Sequence, residues 1–343
     1  MLYYYALLYY NINLKQIKTM KKIHLISTLI GLLAFSTISK ADLKVVTSIK
    51  PIHSLASYIM DGVGSPGLIV DGYNSPHSFQ LKPSHAKMLE QADIIFWIGE
   101  DLENFLEKPL ATIAKKAEKI ELLEIKGIKK LKFRERNIFE EHEGHDDHGD
   151  DAKKEEHDDH GQDAKKEEHD DHDDHGHGEY DPHIWLDPIN AKVILNEITE
   201  HLIENDSKNA ATYKSNLAKA ISEIDKLIID VITETNTDLS YVVFHDAYQY
   251  YENRFNVNIL GAMTVNPDVM PGAEQIHEIH EVIEHDNVSC ILSEPQFNPD
   301  IIKSIAKDTN VKTSVLDPLG ANLKPGKDLY FDLIRNMSAS FNC

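Results

Sequence analysis

Residues 43–98 read LKVVTSIKPIHSLASYIMDGVGSPGLIVDGYNSPHSFQLKPSHAKMLEQADIIFWI. Leu43–Ile49 is a continuous apolar run with β-branched residues, the pattern of a strand buried on both faces. Pro51–Met60 switches to helical spacing, and Leu68–Val70 returns to strand character. A polar loop from Asp71 to His77 follows. Lys82-Pro83-Ser84 marks a helix start at Ser84, with Met88 and Leu89 on its apolar face. Ala92–Ile98 is a third strand. Strands that alternate with helices predict a parallel sheet covered on both sides.

Working outward, Leu102–Ala117 is predicted helical and Ile120–Leu123 a fourth strand. After His183 the pattern changes to two amphipathic helices, Ile189–Ile203 and Ser207–Thr235. The second carries Tyr213, Leu217, Ile221, Ile224, Leu227, Ile228 and Val231 on one face. Then βα units resume. Strands are predicted at Tyr241–Phe244, Ile259–Val265, Cys290–Ser293 and Thr313–Leu316. Helices are predicted around Tyr248–Phe255, over Ala273–His285, after Asn298-Pro299 and over Asp328–Phe341. The expected fold class is α/β: two β/α lobes with parallel-type sheets, joined by a long helix. The expected organisation is an N-terminal lobe over 42–189, a helical segment over 190–236 and a C-terminal lobe over 237–343.

Residues 1–41 read as a secretory signal. Met20-Lys21-Lys22 opens a positive region, Ile23–Ile38 is largely apolar, and Ser39-Lys40-Ala41 is a small-residue cleavage site. Met20 is the expected true start. No cysteine lies near the cleavage point, so no lipid attachment is expected, and the chain is expected to be exported. The chain has two cysteines, Cys290 and Cys343. An even pair in an exported chain points to one disulfide, with two separate thiols as the alternative.

A tract from Glu140 to Asp181 (EEHEGHDDHGDDAKKEEHDDHGQDAKKEEHDDHDDHGHGEYD) holds nine of the chain's 19 histidines. It also holds 20 acidic residues against 4 lysines, which supplies −16 of the formal −22. HDDHGDDAKKEE begins at His145 and HDDHGQDAKKEE at His157. Without apolar area to bury, the tract is expected to stay a mobile loop, and its histidines point to metal binding. Outside it the charge is only modestly negative and no basic patch appears, so nucleic acid is not an expected partner.

In open α/β sheets, ligands bind beyond the carboxyl ends of the strands. His77 follows the Leu68–Val70 strand, His245 and Asp246 end Tyr241–Phe244, Glu294 ends Cys290–Ser293, and Asp317 ends Thr313–Leu316. His183 lies in the loop before the helical section. Three imidazoles with a carboxylate or water make a tetrahedral set that suits zinc. Taken singly, each histidine reads more readily as a hydrogen-bonded or surface residue. Asp317-Pro318 and Asp187-Pro188 also read as caps or turns, and for Asp187 the cap is favoured. Gly62-Val63-Gly64-Ser65-Pro66-Gly67 matches a dinucleotide fingerprint on paper, but it precedes a strand instead of opening a helix. His277 and His280 sit three apart on a charged helix face, one residue short of a metalloprotease motif. His53, His85, His201 and His285 receive the same ordinary assignment.

As an ordered set, five motifs resemble the periplasmic zinc-binding proteins of bacterial high-affinity zinc ABC transporters, the ZnuA type. They are SPHSFQLKPS (75–84), HIWLDP (183–188), FHDAY (244–248), EPQF (294–297) and LDPLG (316–320). The resemblance covers about the whole chain after residue 41. It implies His77, His183 and His245 as the metal ligands, with the site in the cleft between two lobes joined by a rigid helix. Pro76 stands where some relatives carry a glutamate, which leaves Asp317 or water in the fourth position. Manganese-binding cousins tend to have a glutamate where His245 stands. The acidic histidine loop marks the zinc branch, and the Cys290/Cys343 pair resembles a disulfide of some members. The implied function is capture of Zn²⁺ and delivery to an inner-membrane ABC permease by a monomer that performs no catalysis. Three alternatives stay open: a manganese receptor of the same fold, a secreted zinc hydrolase with Glu294 as its base, and a buffering protein whose loop is the main functional element.

Overall fold

The computed structural model describes residues 42–134, 136–139, 178–265, 267, 269 and 271–343. The expected signal segment and all but the last four residues of the acidic tract lie outside the described residues.

Among the described residues, eight strands form two sheets of four, and the strands within each sheet pair in parallel. The first sheet contains β1 (Val45–Thr47), β2 (Gly67–Leu68), β3 (Ile94–Trp97) and β4 (Glu118–Glu121), in the order β2-β1-β3-β4. Helices α1 (Lys50–Ile59), α2 (Pro83–Gln91) and α3 (Glu100–Thr112) make the crossovers. The second sheet contains β5 (Ser240–His245), β6 (Asn258–Thr264), β7 (Cys290–Ser293) and β8 (Lys312–Val315), in the order β6-β5-β7-β8. Its crossovers are α6 (Gln249–Phe255), α7 (Ala273–His285) and α8 (Asp300–Thr309). Both sheets are therefore wound alike, and each reverses its strand order once, between its two central strands.

That reversal leaves a crevice at the carboxyl ends of the central strands, where a ligand can enter. In the first sheet it is filled from within. Glu103 is fully buried there, and its Oε2 accepts from the backbone N–H groups of Ile98 (2.8 Å) and Gly99 (3.2 Å). In the second sheet the crevice is flanked by His245 at the end of β5 and Glu294 just after β7.

Between the sheets run α4 (Pro188–Asn205) and α5 (Ala210–Glu234), and α9 (Leu329–Ser340) closes the chain. Asp187 caps α4, accepting from Ile189 N–H at 2.8 Å, and Pro188 supplies a pre-set φ in the first turn. Arg254 holds the same carboxylate with two hydrogen bonds of 2.7 and 2.8 Å. α5 has 25 residues, about 37 Å of helix, and packs against α4, α1 and α9. Its buried face carries Tyr213, Asn216, Ala220, Ile224, Leu227 and Val231.

One continuous hydrophobic core takes residues from β1, α1, β3, α4, α5, β5 and α9. A smaller one lies between the other face of the second sheet and α7 and α8, built on Val242, Phe244, Ile279, Ile291 and Ile302. The outer edge of β6 is covered by the chain just before the acidic tract. Phe139 N–H donates to Leu260 O and Ala262 N–H to Asn137 O, both at 2.8 Å. A β-carbon on residue 261 would meet Asn137 O at 2.6 Å, so this approach requires Gly261.

Cys290 and Cys343 are joined, as the even pair suggested. The bond ties the end of the chain to a central strand and closes a loop of 53 residues' separation. The chain-entropy model gives about 4 kcal/mol for such a loop as a ceiling, and about 2–3 kcal/mol is the loss expected on replacing both cysteines by serine. Denaturant midpoints of the oxidised protein and the variant check this; equal midpoints would exclude a stabilising bond.

Candidate metal centre

The folding just described brings together three histidines that are far apart in sequence. His77 arrives on the loop after β2, His183 at the entry to the short turn Ile184–Leu186, and His245 at the end of β5. Ligand atoms of all three lie within 4.8 Å of one another. Their ring centroids form a near-equilateral triangle with sides of 5.3, 5.6 and 5.7 Å. His183 and His245 are each only 3% exposed, whereas His77 is partly exposed. The Nε2 atoms of His183 and His245 face each other at 3.4 Å. Two nitrogens bound to one tetrahedral zinc at ordinary bond lengths stand about 3.3 Å apart, so this pair is already spaced for a shared ion.

Each buried ring is held from behind. His183 Nδ1 is 2.6 Å from Asp181 Oδ1, and the same oxygen accepts the His183 backbone N–H at 2.9 Å. His245 Nδ1 is 2.6 Å from Glu294 Oε1. A carboxylate on Nδ1 fixes the tautomer with its lone pair on Nε2 and makes that nitrogen a better donor to a metal. Burial presses the His183 pKa well below 6.5, and the neighbouring His245 presses it the same way. For His245 burial also works downward, but the Glu294 charge and hydrogen bond, with the charges of Asp246 and Asp181, together outweigh it and leave the pKa raised. Burial lifts the Asp181 carboxyl to about 7 against its hydrogen bond from His183. Pro76, Trp185, Phe297, Pro318 and Leu319 line the cleft with the three histidines.

Asp317, the sequence candidate for the fourth position, is not among the residues brought together. Its Oδ1 accepts from Leu319 and Gly320 N–H at 3.0 Å and from Gln296 Nε2 at 2.8 Å; its Oδ2 accepts from Ala321 N–H at 2.5 Å. In this arrangement its oxygens cap the turn that sets Pro318 and Leu319 into the cleft wall. Glu294, considered as a hydrolase base, is engaged on His245. Asp181 received no role from the sequence. Its signal was the Asp-Pro-His spacing, since a carboxylate two residues before a histidine reaches both the backbone N–H and Nδ1 of that residue.

A family model described as "Zinc-uptake complex component A periplasmic" matches residues 45–342. The chain belongs to this family. Members of this family of zinc-uptake proteins are periplasmic solute-binding components that work with an ABC transporter permease. The high-affinity zinc uptake system protein ZnuA of Brucella abortus is 46% identical over 304 residues, 86% of this chain and 90% of that protein. Among solved structures, the laminin-binding adhesin Lmb from Streptococcus agalactiae superposes with a TM-score of 0.67 at 22% identity, over 88% of this chain and 98% of that one. The manganese-bound periplasmic metal-binding protein from Candidatus Liberibacter asiaticus gives 0.64 at 20% identity, over 87% and 97%. These two establish the shared two-sheet α/β fold of the family.

Proposed function

We propose that the protein captures Zn²⁺ in the periplasm through His77, His183 and His245 and passes it to an inner-membrane zinc permease. The observation that carries this reading is the pair of Nε2 atoms at 3.4 Å, each aimed by a buried carboxylate on Nδ1. Water takes the fourth position, since the Asp317 oxygens are engaged in the turn they cap. The protein acts as a monomer on its cargo and does no chemistry: a hydrolase needs a free base beside the metal-bound water, and Glu294 is committed to His245. The division into lobes at 42–189 and 237–343, bridged by 190–236, is supported by the placement of each sheet within one of these ranges. In this scheme the acidic tract 140–181 is an accessory collector of zinc.

Zinc is favoured over manganese because three imidazoles are a nitrogen-rich set, while Mn²⁺ is better served by oxygen donors. The test is competitive titration of both metals on the wild type and on His245→Glu at fixed pH. Zinc should stay the tighter ligand in both, as the Irving–Williams order requires. The zinc-to-manganese ratio should shrink in the variant. An unchanged or larger ratio removes His245 as a selectivity element.

A further inference from the structure

A second group of metal-type donors lies outside the cleft. α4 carries Glu197, His201 and Glu204 at spacings of four and three, which place them on one helix face. Glu118, the first residue of β4, lies against them. His201 Nδ1 is 2.8 Å from Glu118 Oε1, and His201 Nε2 is 3.1 Å from Glu197 Oε1. Ligand atoms of Glu118, His201 and Glu204 fall within 4.8 Å of one another. Asn205 Nδ2 holds the other Glu118 oxygen at 3.0 Å, and the imidazole stands edge-on to the buried Phe96 ring at 6.2 Å.

The donors are thus positioned by groups that are not themselves donors, as in the cleft. A carboxylate on one ring nitrogen leaves the other nitrogen to face a cation. Among the described residues, the ion pairs of Glu118 and Glu197 both run to His201. Two carboxylates therefore share one imidazole, with a Glu204 oxygen within 4.8 Å of the group, and the imidazole supplies at most one positive charge. A divalent cation would balance that excess.

We propose that Glu118, His201 and Glu204 form a second site for a divalent cation of the zinc type. Glu197 orients the imidazole and Asn205 orients Glu118. One imidazole with two carboxylates suits zinc and is harder than the three-histidine set, so this site should be the weaker of the two. It is also separate. His201 lies 13 residues beyond Pro188 along α4, about 20 Å at the helical rise, and Glu118 begins its strand whereas the cleft faces the strand ends. The ion would cross-link β4 to α4.

The experiment is diffraction from crystals of the full-length mature chain grown with excess Zn²⁺ alone, with data on both sides of the zinc edge. The expected map has one anomalous peak in the cleft and a second between Glu118, His201 and Glu204. A full cleft peak with nothing at the second position overturns the proposal. The variants His201→Ala and Glu118→Gln should each lose the second peak and keep the first, which also reports that they fold. Equilibrium dialysis of the same variants should then count one ion fewer than the wild type. A second peak or an ion count that survives both substitutions would equally overturn it.

Discussion

Replacing His183 by alanine is expected to weaken zinc binding by about 3 kcal/mol, on the order of a hundredfold, because a zinc site of this type draws roughly 10–16 kcal/mol from four ligands. His183 is the right residue to remove. It is buried, burial keeps its ring neutral, and it supplies one of the two facing Nε2 atoms. Calorimetry against a competing chelator measures the tight site apart from weaker ones. Unchanged affinity in a folded variant would mean that the cleft is not the zinc site. Glu294→Gln is a smaller step, expected to cost about 10–100-fold, as for other groups that orient a metal ligand.

The pH dependence follows from the same two rings. In the metal-free protein His245 keeps its proton to a higher pH than an ordinary histidine, because Glu294 stabilises the charged ring. Zinc must displace that proton. Affinity should therefore be full above the raised His245 value and fall by about tenfold per pH unit below it. His183, held neutral by burial, adds nothing to this slope. In Glu294→Gln the largest upward contributions to the His245 value are gone, leaving those of Asp246 and Asp181, so the decline should begin at lower pH, although the affinity at high pH is poorer. A decline that starts at the same pH in both proteins would contradict this account.

Trp185→Ala is expected to destabilise the fold by about 4 kcal/mol. Trp185 is fully buried between the sheets, its Nε1 donates to Pro318 O at 2.9 Å, and its carbonyl accepts from Tyr330 Oη at 2.9 Å. Losing a buried indole typically costs about 3–5 kcal/mol, and the orphaned Pro318 carbonyl adds to the damage. Trp185→Phe retains most of the ring and should cost only about 1–2 kcal/mol. Denaturant unfolding of the metal-free proteins, with the disulfide intact, separates the two. A loss below about 1 kcal/mol in Trp185→Ala would show that the surroundings collapse into the space.

The strands buried on both faces were legible in the sequence because their apolar runs have no other reading. Cys290–Ser293 and Ala273–His285 match the observed β7 and α7 residue for residue. The misplaced boundaries are at the edges. β4 is Glu118–Glu121, of which only Ile120 is buried; the buried Leu122 and Leu123 lie beyond it and drew the expected strand along the chain. β8 (KTSV) is similarly polar and starts one residue before its expected position. Edge strands carry charge that a search for apolar runs passes over. α3 stops at Thr112, five residues short of its expected end at Ala117, because the chain must turn there to enter β4. The long helix begins at Ala210, after a short turn over Ser207–Asn209 held by the Asp206 carboxylate.

Site legibility was of another kind. The three histidines stood out by position and by resemblance, since both features survive in a linear text. The roles of Asp181, Glu294 and Asp317 depend on which way a ring or a carboxylate turns. Asp317 shows this best: its sequence position suits a ligand, and its backbone neighbours claim both oxygens.

The continuous core has a bearing on how the ion leaves. A jaw that swung open between the two sheets would tear apart the packing of α1, α4, α5 and α9 and wet dozens of apolar side chains. Interfaces of that size do not hinge freely. In the proposed scheme release is a local stroke. Of the three imidazoles His77 is the least buried, and it is carried on the loop between β2 and α2. Withdrawing that single arm would leave zinc on two fixed rings and open to water, a half-dismantled cage from which a waiting acceptor can lift it.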